Sequence, residues 1–250
     1  MDINIFSAVI FDLDGTIYYG PELINGSVEA VDYFRKKGIK VFFGTNNSSK
    51  TRKTICDKLN KLGIKCDKDE VITSGFLSAV YCKQNAINDV FVCGSNELIE
   101  EFKMQNVLLN QSENASNLVI GFNKDANYAD LTVALRVALH ANQIIACNVE
   151  RNYPGDASLL FPSCGGFVKA VEWCANRSCD FIIGKPNSYM IEYLRKEYNF
   201  DKEILVIGDS LEFDVDFAKN ASAIPVCIQK NCQANCLSVN NISDIPSLFE

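Results

Sequence analysis

The chain has 250 residues, of which 48% are hydrophobic and 22% charged, a composition typical of a globular protein. This length accommodates one large domain, or a domain with a smaller insertion. The formal net charge of −7 argues against a broad basic surface for nucleic acid. We therefore expect no nucleic-acid partner, and an anionic ligand would have to be held locally, by a few residues or a metal ion.

The N-terminal segment and the cysteines bear on the cellular compartment. Residues 1–15 do not have the basic region and long apolar run of a signal peptide, and no run of about 18 apolar residues occurs in the sequence. We therefore expect a cytoplasmic protein with no membrane partner. The 11 cysteines are scattered and lack the CxxC spacing of zinc sites, which favours reduced thiols used as small core residues.

The first 75 residues alternate between predicted strands and helices. The apolar run "IFSAVIF" at residues 5–11 predicts a strand that is covered on both faces of a parallel sheet. The helix predicted next has Ser27 as its N-cap and ends at Gly38. A strand ("IKVFFGT"), a helix that ends at Gly63 and a third strand ("EVITS") follow. This βαβαβ order predicts a doubly wound parallel sheet with helices on both faces.

A second α/β set follows from about residue 76. The segments "DVFVCGS", "NLVIGFN" and "QIIACN" predict strands, with helices predicted between them. The later segment "EILVIGDSLEFDVDFAKNASAIPVCI" again predicts a strand, an acidic loop, a helix and a strand. We therefore predict an α/β protein in which residues 1–76 and 181–250 form a core and residues 77–180 form an inserted domain.

Residues capable of chemistry follow several of the predicted strands. They are Asp12 and Asp14, then Thr45, Asn46 and Asn47, then Lys185, and finally Asp209 and Asp214. Taken singly, each could be part of a turn, a helix cap or a solvated face. Two carboxylates beside a buried strand, however, need a cation or a shared function. Because ligands bind at the carboxyl ends of parallel strands, we expect these side chains to form one site.

Such a site suits phosphoryl transfer. A carboxylate can act as the nucleophile and form an aspartyl-phosphate. Mg²⁺ commonly binds through one or two protein carboxylates together with substrate phosphate and water. The transferred group carries negative charge, so that its transfer depends on donors and cations placed around it.

The motifs DxDGT, a strand ending in Thr, a Lys and GDxxxxD stand here in that order, and they resemble the haloacid dehalogenase superfamily of phosphatases. The segments "GTNNSS", "LVIGFNKDANYADLTVAL", "IIACN" and "IIGKPNSYMIEYL" are similar to its NagD-like or 4-nitrophenylphosphatase branch. This resemblance covers nearly the whole chain. It implies a Rossmann-like core with a large α/β cap (C2 type) inserted after the third strand.

The resemblance also implies a role for each carboxylate. Asp12 would be the nucleophile. Asp14 would protonate the leaving alcohol and then act as the base that activates water. Mg²⁺ would be held by the Asp12 carboxylate, the Asp14 backbone carbonyl and Asp209, with Asp214 helping through a water molecule or at one remove.

The remaining roles concern phosphate and substrate. The resemblance implies that Lys185 neutralises charge on the phosphate and on Asp12. Thr45, Asn46 and Asn47 would hold phosphate oxygens, and Gly15 would allow a tight turn and close backbone approach. Glu150 is expected at the substrate.

Three positions depart from the family pattern. A cap strand that often ends in Thr-Asn-x-Asp ends here in Glu150, and a loop similar to Pro-Gly-x-Gly contains Cys164. Phe213 stands where Thr usually precedes the last Asp. The first two departures are expected where the cap faces the substrate, so the sequence does not choose among phosphate esters.

The leading interpretation is a Mg²⁺-dependent phosphomonoesterase whose small-molecule substrate is enclosed when the cap closes. One alternative is a phosphotransferase or phosphomutase of the same superfamily, which passes the phosphoryl group to a hydroxyl other than water. Another is a phospho-acceptor module like a response-regulator receiver, which Asp14 and the inserted cap argue against. Caps in this branch can mediate dimers, so a homodimer through the cap is one expectation.

Predictions also concern four residues outside these motifs. His140, the only histidine, is expected to be structural or solvent-facing, which excludes a histidine-based mechanism. Trp173 is expected in the core. Tyr18 and Tyr19 are expected either to line the entrance of the site or to pack against the cap.

Overall fold

The computed structural model describes residues 1–154, 159–229 and 236–250. The chain divides into two compact units. The first comprises Met1–Thr45, Ile55–Ile72 and Lys185–Glu250, and the second comprises Asn46–Thr54 and Thr73–Gly184.

A six-stranded sheet forms the centre of the first unit. Its strands are β1 (Phe6–Phe11), β4 (Lys40–Thr45), β5 (Val71–Thr73), β12 (Glu203–Gly208), β13 (Ile224–Ile228) and β14 (Leu237–Val239). Their order is β14-β13-β12-β1-β4-β5, and β1 pairs in parallel with both β4 and β12. Five of the six residues of β1 are buried, because the strand is central and covered on both faces. The predicted α/β fold with a parallel sheet is confirmed.

The other elements of the first unit surround this sheet. They include a short hairpin of β2 (Tyr18–Tyr19) and β3 (Glu22–Leu23), and the helices α1 (Ser27–Lys36), α2 (Arg52–Lys61), α7 (Tyr189–Tyr198) and α8 (Asp216–Asn220). The N-cap of α1 is Gly26, at a φ of 90°, rather than the predicted Ser27. Ser27 instead begins the helix and donates its hydroxyl to the Ile17 carbonyl at 3.1 Å. The first turn of α2, up to Thr54, belongs to the second unit.

The second unit has its own parallel sheet, in the order β11-β8-β7-β6. Its strands are β6 (Val90–Cys93), β7 (Asn117–Ile120), β8 (Gln143–Ala146) and β11 (Phe181–Ile182). The remaining elements are the helices α3 (Ser74–Gln84), α4 (Asn96–Met104), α5 (Tyr128–Ala138) and α6 (Cys164–Ala175), and a hairpin of β9 (Asn152–Pro154) and β10 (Leu160–Pro162). Although the sequence predicts that the core resumes at residue 181, β11 pairs with β8 in this second sheet.

Several smaller predictions have a clear outcome. Trp173 is 87% exposed, so its predicted core position is wrong. The buried side of α6 contains Cys164, Val168 and Val171, and Trp173 lies off that stripe. His140 is exposed, as predicted.

The cysteines are largely core residues. All ten cysteines in the described ranges are free thiols, and seven of them are buried, as the sequence predicts. Cys232 lies outside the described residues. Within the described part of the chain, none of the helices combines the length and apolarity needed to cross a membrane.

Candidate active site

The nucleophile candidate follows the central strand directly. The Asp12 N–H donates to the Ile207 carbonyl at 2.9 Å, which extends the β1–β12 pairing by one residue. Asp12 is buried, with only 9% of the residue exposed. The chain then turns sharply, with the Gly15 N–H donating to the Tyr18 carbonyl at 2.9 Å. The turn holds Asp14 beside the carboxyl end of β1.

Gly15 is required at this turn for two reasons. Its φ of +94° lies in the left-handed region, which side chains rarely adopt. A Cβ at this position would lie 2.5 Å from the Asp209 Oδ2 atom. The absence of a side chain therefore allows the backbone of the DxDGT motif to approach Asp209 closely. Thr16 also contributes, since its hydroxyl donates to Asp209 Oδ1 at 3.3 Å.

The second pair of acids follows β12. A single π-helical turn (Leu211–Val215) carries Asp214, and its Oδ2 atom accepts the Ser210 N–H at 3.0 Å. A Cβ on Gly208 would collide with the Asp214 carboxyl group, so this glycine too is required by close approach. Phe213, the departure from the family pattern, donates its N–H to Ser210 Oγ at 3.1 Å. That hydrogen bond uses only the backbone of Phe213, so Phe213 preserves the turn that carries Asp214.

Lys185 connects these acids. Its ammonium lies 2.6 Å from Asp12 Oδ1 and 2.6 Å from Asp214 Oδ1, and the residue is 2% exposed. Carboxylate oxygens of Asp12, Asp209 and Asp214 lie within 4.8 Å of one another. The structure therefore brings four of the predicted residues together, and this group of three carboxylates and one ammonium is called the acidic cluster below.

The electrostatics of the acidic cluster favour an added positive charge. Burial raises the pKa of Asp12 well above its ordinary value; Lys185 opposes this effect, while Asp214 and Asp209 add to it. Burial, with a contribution from Asp214, raises the pKa of Asp209 to about 6. Burial alone would lower the pKa of Lys185, but the charges of Asp12 and Asp214 outweigh it and raise that pKa. One ammonium does not balance three carboxylates, so the cluster needs protons or a cation.

Asp14 has a different environment. It is exposed at the surface, yet desolvation by surrounding protein atoms raises its pKa, against the opposing charges of Lys58 and Lys185. The Lys58 ammonium lies 3.3 Å from the centre of the Tyr18 ring, a cation–π contact. The sequence did not single out Lys58, because a lysine on an amphipathic helix is usually solvated. Tyr18 is buried beneath it, and Tyr19 is 55% exposed.

Three predicted phosphate- or substrate-binding residues lie in the second unit. Asn46 is 3% exposed and donates its side-chain N–H to Glu150 Oε1 at 3.2 Å. The Asn47 side-chain oxygen accepts the backbone N–H groups of Ser49 and Lys50, both at 3.0 Å. Asn47 therefore shapes its own loop, while Asn46 and Glu150 are neighbours.

Two further positions that the sequence analysis placed near phosphate or substrate are Thr45 and Cys164. Thr45 is the last residue of β4, belongs to the first unit and is 4% exposed. Cys164, expected to face a substrate, is instead fully buried at the start of α6, with its thiol directed to the Ile120 carbonyl at 3.7 Å. Asn148, which the sequence did not list as a site residue, donates its side-chain N–H to the Asn46 carbonyl at 2.6 Å.

Comparisons with known proteins identify the family. The haloacid dehalogenase-like hydrolase family matches residues 9–108, and a HAD-hydrolase-like family matches residues 182–230. The chain is 30% identical to sugar-phosphatase AraL of Bacillus subtilis over 216 residues, which are 85% of this chain and 79% of that protein. It is 27% identical to an acid sugar phosphatase of Staphylococcus aureus, over 90% of this chain and 86% of that protein.

A solved structure agrees with these relatives. The 4-nitrophenylphosphatase from Thermotoga maritima is 25% identical and superimposes with a TM-score of 0.91, over 99% of this chain and 98% of that one. The chain therefore belongs to the haloacid dehalogenase-like hydrolase family and is a phosphatase of its NagD-like branch, as its motifs predict.

Proposed function

We propose that this phosphatase hydrolyses a small-molecule phosphate ester through an aspartyl-phosphate on Asp12, and that it depends on Mg²⁺. The acidic cluster is the observation that carries this proposal. It lies at the carboxyl ends of β1 and β12, where open parallel sheets bind ligands. A buried carboxylate held by a lysine beside two further acids suits phosphoryl transfer.

The donor set of the acidic cluster fits a hard divalent cation. Carboxylate oxygens within 4.8 Å of one another are the ligands that Mg²⁺ prefers. Asp12 and Asp209 would hold the ion together with the Asp14 backbone carbonyl. Asp214 is already paired with Lys185 and would support the ion without direct contact or through a water molecule. When bound, Mg²⁺ supplies positive charge to the phosphoryl oxygens.

The protein groups carry out the covalent steps. The Asp12 carboxylate attacks phosphorus, and the bond between phosphorus and the alcohol oxygen breaks. Asp14 gives its proton to that oxygen; its raised pKa favours the protonated form that this step needs. Asp14 then removes a proton from water, whose oxygen attacks phosphorus. The bond between phosphorus and the Asp12 oxygen breaks, which releases phosphate and restores the Asp12 carboxylate. Lys185 orients Asp12 through the 2.6 Å contact.

Phosphate and substrate recognition completes the proposal. Thr45, Asn46 and Asn47, with the backbone at Gly15, would hold the phosphate oxygens, and Glu150 would contact the rest of the substrate. Sugar phosphates are the first substrates to test, because two similar proteins are named sugar phosphatases. Three further expectations stay predictions. They are a cap of residues 77–180 on a core of residues 1–76 and 181–250, a homodimer through that cap, and a cytoplasmic location.

Phosphate release from 4-nitrophenyl phosphate tests the activity. With Mg²⁺ the purified chain is expected to hydrolyse this ester, and a chelator is expected to remove the activity until Mg²⁺ is restored, because the acidic cluster then carries uncompensated charge. Sugar phosphates, nucleoside monophosphates, phosphoglycolate and pyridoxal phosphate should follow as substrates. An inactive chain, or undiminished activity in chelator, would contradict the proposal. Transfer of the phosphoryl group to an added hexose faster than to water would favour the phosphotransferase.

The stability of the protein should depend on pH and Mg²⁺ together. Burial raises the pKa of Asp209 to about 6 in the folded protein, so the folded state binds this proton more tightly than the unfolded state does. The free energy of unfolding should therefore decrease as the pH rises from about 4 through 6. Mg²⁺ binds the ionised form, so the increase in Tm that it causes should be larger at pH 7.5 than at pH 5. Thermal unfolding with Mg²⁺ and with chelator measures this difference.

Two variants serve as controls for the pH measurement. Asp209→Asn should abolish most of the Mg²⁺-dependent increase in Tm, whereas Asp216→Asn, at an exposed acid two residues beyond Asp214, should leave it unchanged. An increase in Tm that is equal at both pH values in the unaltered chain would contradict the assignment of the ion to the acidic cluster.

A further inference from the structure

The loop that follows Thr45 is anchored inside the second unit. This segment, Asn46–Thr54, is called the phosphate loop here. At its start, the Asn46 carbonyl accepts the Ser74 hydroxyl at 2.6 Å, in addition to the Asn148 amide. Ser48 Oγ accepts the Phe122 N–H at 3.0 Å, so the first half of the loop is already fixed to the second unit.

Glu97, on α4, binds the second half of the phosphate loop. Its Oε1 atom pairs with the Lys50 ammonium at 2.8 Å. Its Oε2 atom accepts the Thr51 N–H at 3.0 Å and the Thr54 hydroxyl at 2.7 Å. One carboxylate therefore bridges three residues of the loop, and its hydrogen bonds hold the pKa of Glu97 below its ordinary value against the opposing effect of burial.

Glu101 lies one helical turn further along α4 and reinforces the contact. It is 1% exposed, and its Oε1 atom accepts the Arg52 N–H at 2.6 Å. The Arg52 guanidinium lies 3.6 Å from the centre of the Phe76 ring. The first N–H groups of a helix have no partners within the helix, and carboxylates stabilise that end. Glu97 and Glu101 thus bind the N-terminal end of α2 from the same face of α4.

We propose that Glu97 is a positioning residue for phosphoryl transfer, which fixes the phosphate loop so that Asn46 and Asn47 are held ready to bind phosphate. This inference rests on the proposed function. Donors that are already in place avoid the cost of ordering a loop when the phosphate arrives, so that loss of this order weakens the binding of phosphate. Glu97 itself is not placed at the phosphate: its two oxygens are occupied by the loop.

The test compares Glu97→Ala with Glu100→Ala. Glu100 is a matched control, because it is exposed on the same helix and its Oε1 atom pairs with the Lys103 ammonium of that helix at 2.7 Å. For Glu97→Ala, the KM for 4-nitrophenyl phosphate and the inhibition constant of inorganic phosphate should each rise by about tenfold, while kcat changes by less than about threefold. Glu100→Ala should leave all three values unchanged.

Thr54→Val approaches the same contact from the loop side. It removes the hydroxyl that binds Glu97 and keeps the shape of the residue, so it should raise the same two constants. Its effect should be smaller when Glu97 is already Ala than in the unaltered chain, because the two side chains act through one contact. This variant also keeps the test decisive if Glu97→Ala does not fold.

A failure of the proposed function and a failure of the positioning role of Glu97 give different results. If the unaltered chain does not hydrolyse 4-nitrophenyl phosphate, the proposed function fails. If it does, and Glu97→Ala and Thr54→Val leave phosphate binding unchanged, the positioning role of Glu97 is wrong. A loss of kcat without any change in phosphate binding would also overturn it.

Discussion

Asp12→Asn is expected to lower phosphate release by at least about 10⁴-fold, because an amide does not replace the carboxylate as nucleophile. The substitution keeps the shape of the side chain and removes one negative charge from the acidic cluster. Lys185 keeps its second partner, Asp214, at 2.6 Å. We therefore expect the variant to fold, with a free energy of unfolding at least equal to that of the unaltered chain in the absence of metal.

Asp14→Asn separates the nucleophile from the acid. It should lower the rate by about 10²–10⁴-fold, the usual contribution of a general acid or base. Because Asp12 is intact and water is no longer activated, the phosphorylated enzyme should accumulate. Mass spectrometry of acid-quenched protein, with the modified peptide identified by fragmentation, measures that species.

The two variants together test the division of roles. A phosphoryl group should appear on the peptide that contains residue 12 in Asp14→Asn and be absent in Asp12→Asn. The exposed Asp216→Asn should behave like the unaltered chain. Asp12→Asn that retains more than about 1% of the activity, or a label on another residue, would contradict the proposed nucleophile.

The elements that the sequence predicts well are those with a simple pattern. β1 and β12 are apolar runs that end at acidic loops, and both lie at the centre of the sheet. α3 was not predicted, because eight of its eleven residues are buried and no polar face alternates with an apolar one. Trp173 shows the opposite difficulty, since a large aromatic residue among apolar neighbours does not reveal which side of a helix it occupies.

The candidate site follows the same logic. Asp12, Asp209 and Asp214 are predictable because they follow β1 and β12, neighbouring parallel strands whose carboxyl ends lie together. Lys185 follows β11 of the other sheet, so its place beside these acids was implied by the order of the family motifs and not by strand order. The contacts of Glu97 with the phosphate loop join residues more than 40 positions apart through a helix that carries no motif. No local pattern distinguishes a carboxylate that binds a loop from one that faces solvent, so that role required the structure.

Lys185→Met is expected to affect stability and activity together. The side chain is 3% exposed and contacts two buried carboxylates, so its removal leaves buried charges without a partner. Breaking such a group costs about 3–5 kcal/mol of the free energy of unfolding. The cost should be largest at pH 7 and above in chelator. It should decrease towards pH 5, since Asp12 and Asp209, with their raised pKa values, take up protons as the pH falls.

The activity of Lys185→Met should fall by about 10²–10³-fold, because a preorganised positive charge beside the phosphoryl group is lost. Urea unfolding at pH 5 and pH 7.5, together with 4-nitrophenyl phosphate hydrolysis, measures both effects. Lys65→Met, at an exposed lysine, is the control for the loss of a surface charge and should change neither.

A double variant, Lys185→Met with Asp214→Asn, distinguishes charge from packing. Removing one of the unpaired carboxylates should restore a substantial part of the lost stability, while the activity should remain as low as in the single variant. If the double variant is no more stable than Lys185→Met, repulsion within the acidic cluster is not the cause, and Lys185 stabilises the fold by packing alone. Recovery of stability without recovery of activity would show that the Lys185 ammonium has two roles, since it balances the charge of the buried acids and also serves the reaction. Asp214→Asn would then compensate for the loss of the first role and not of the second.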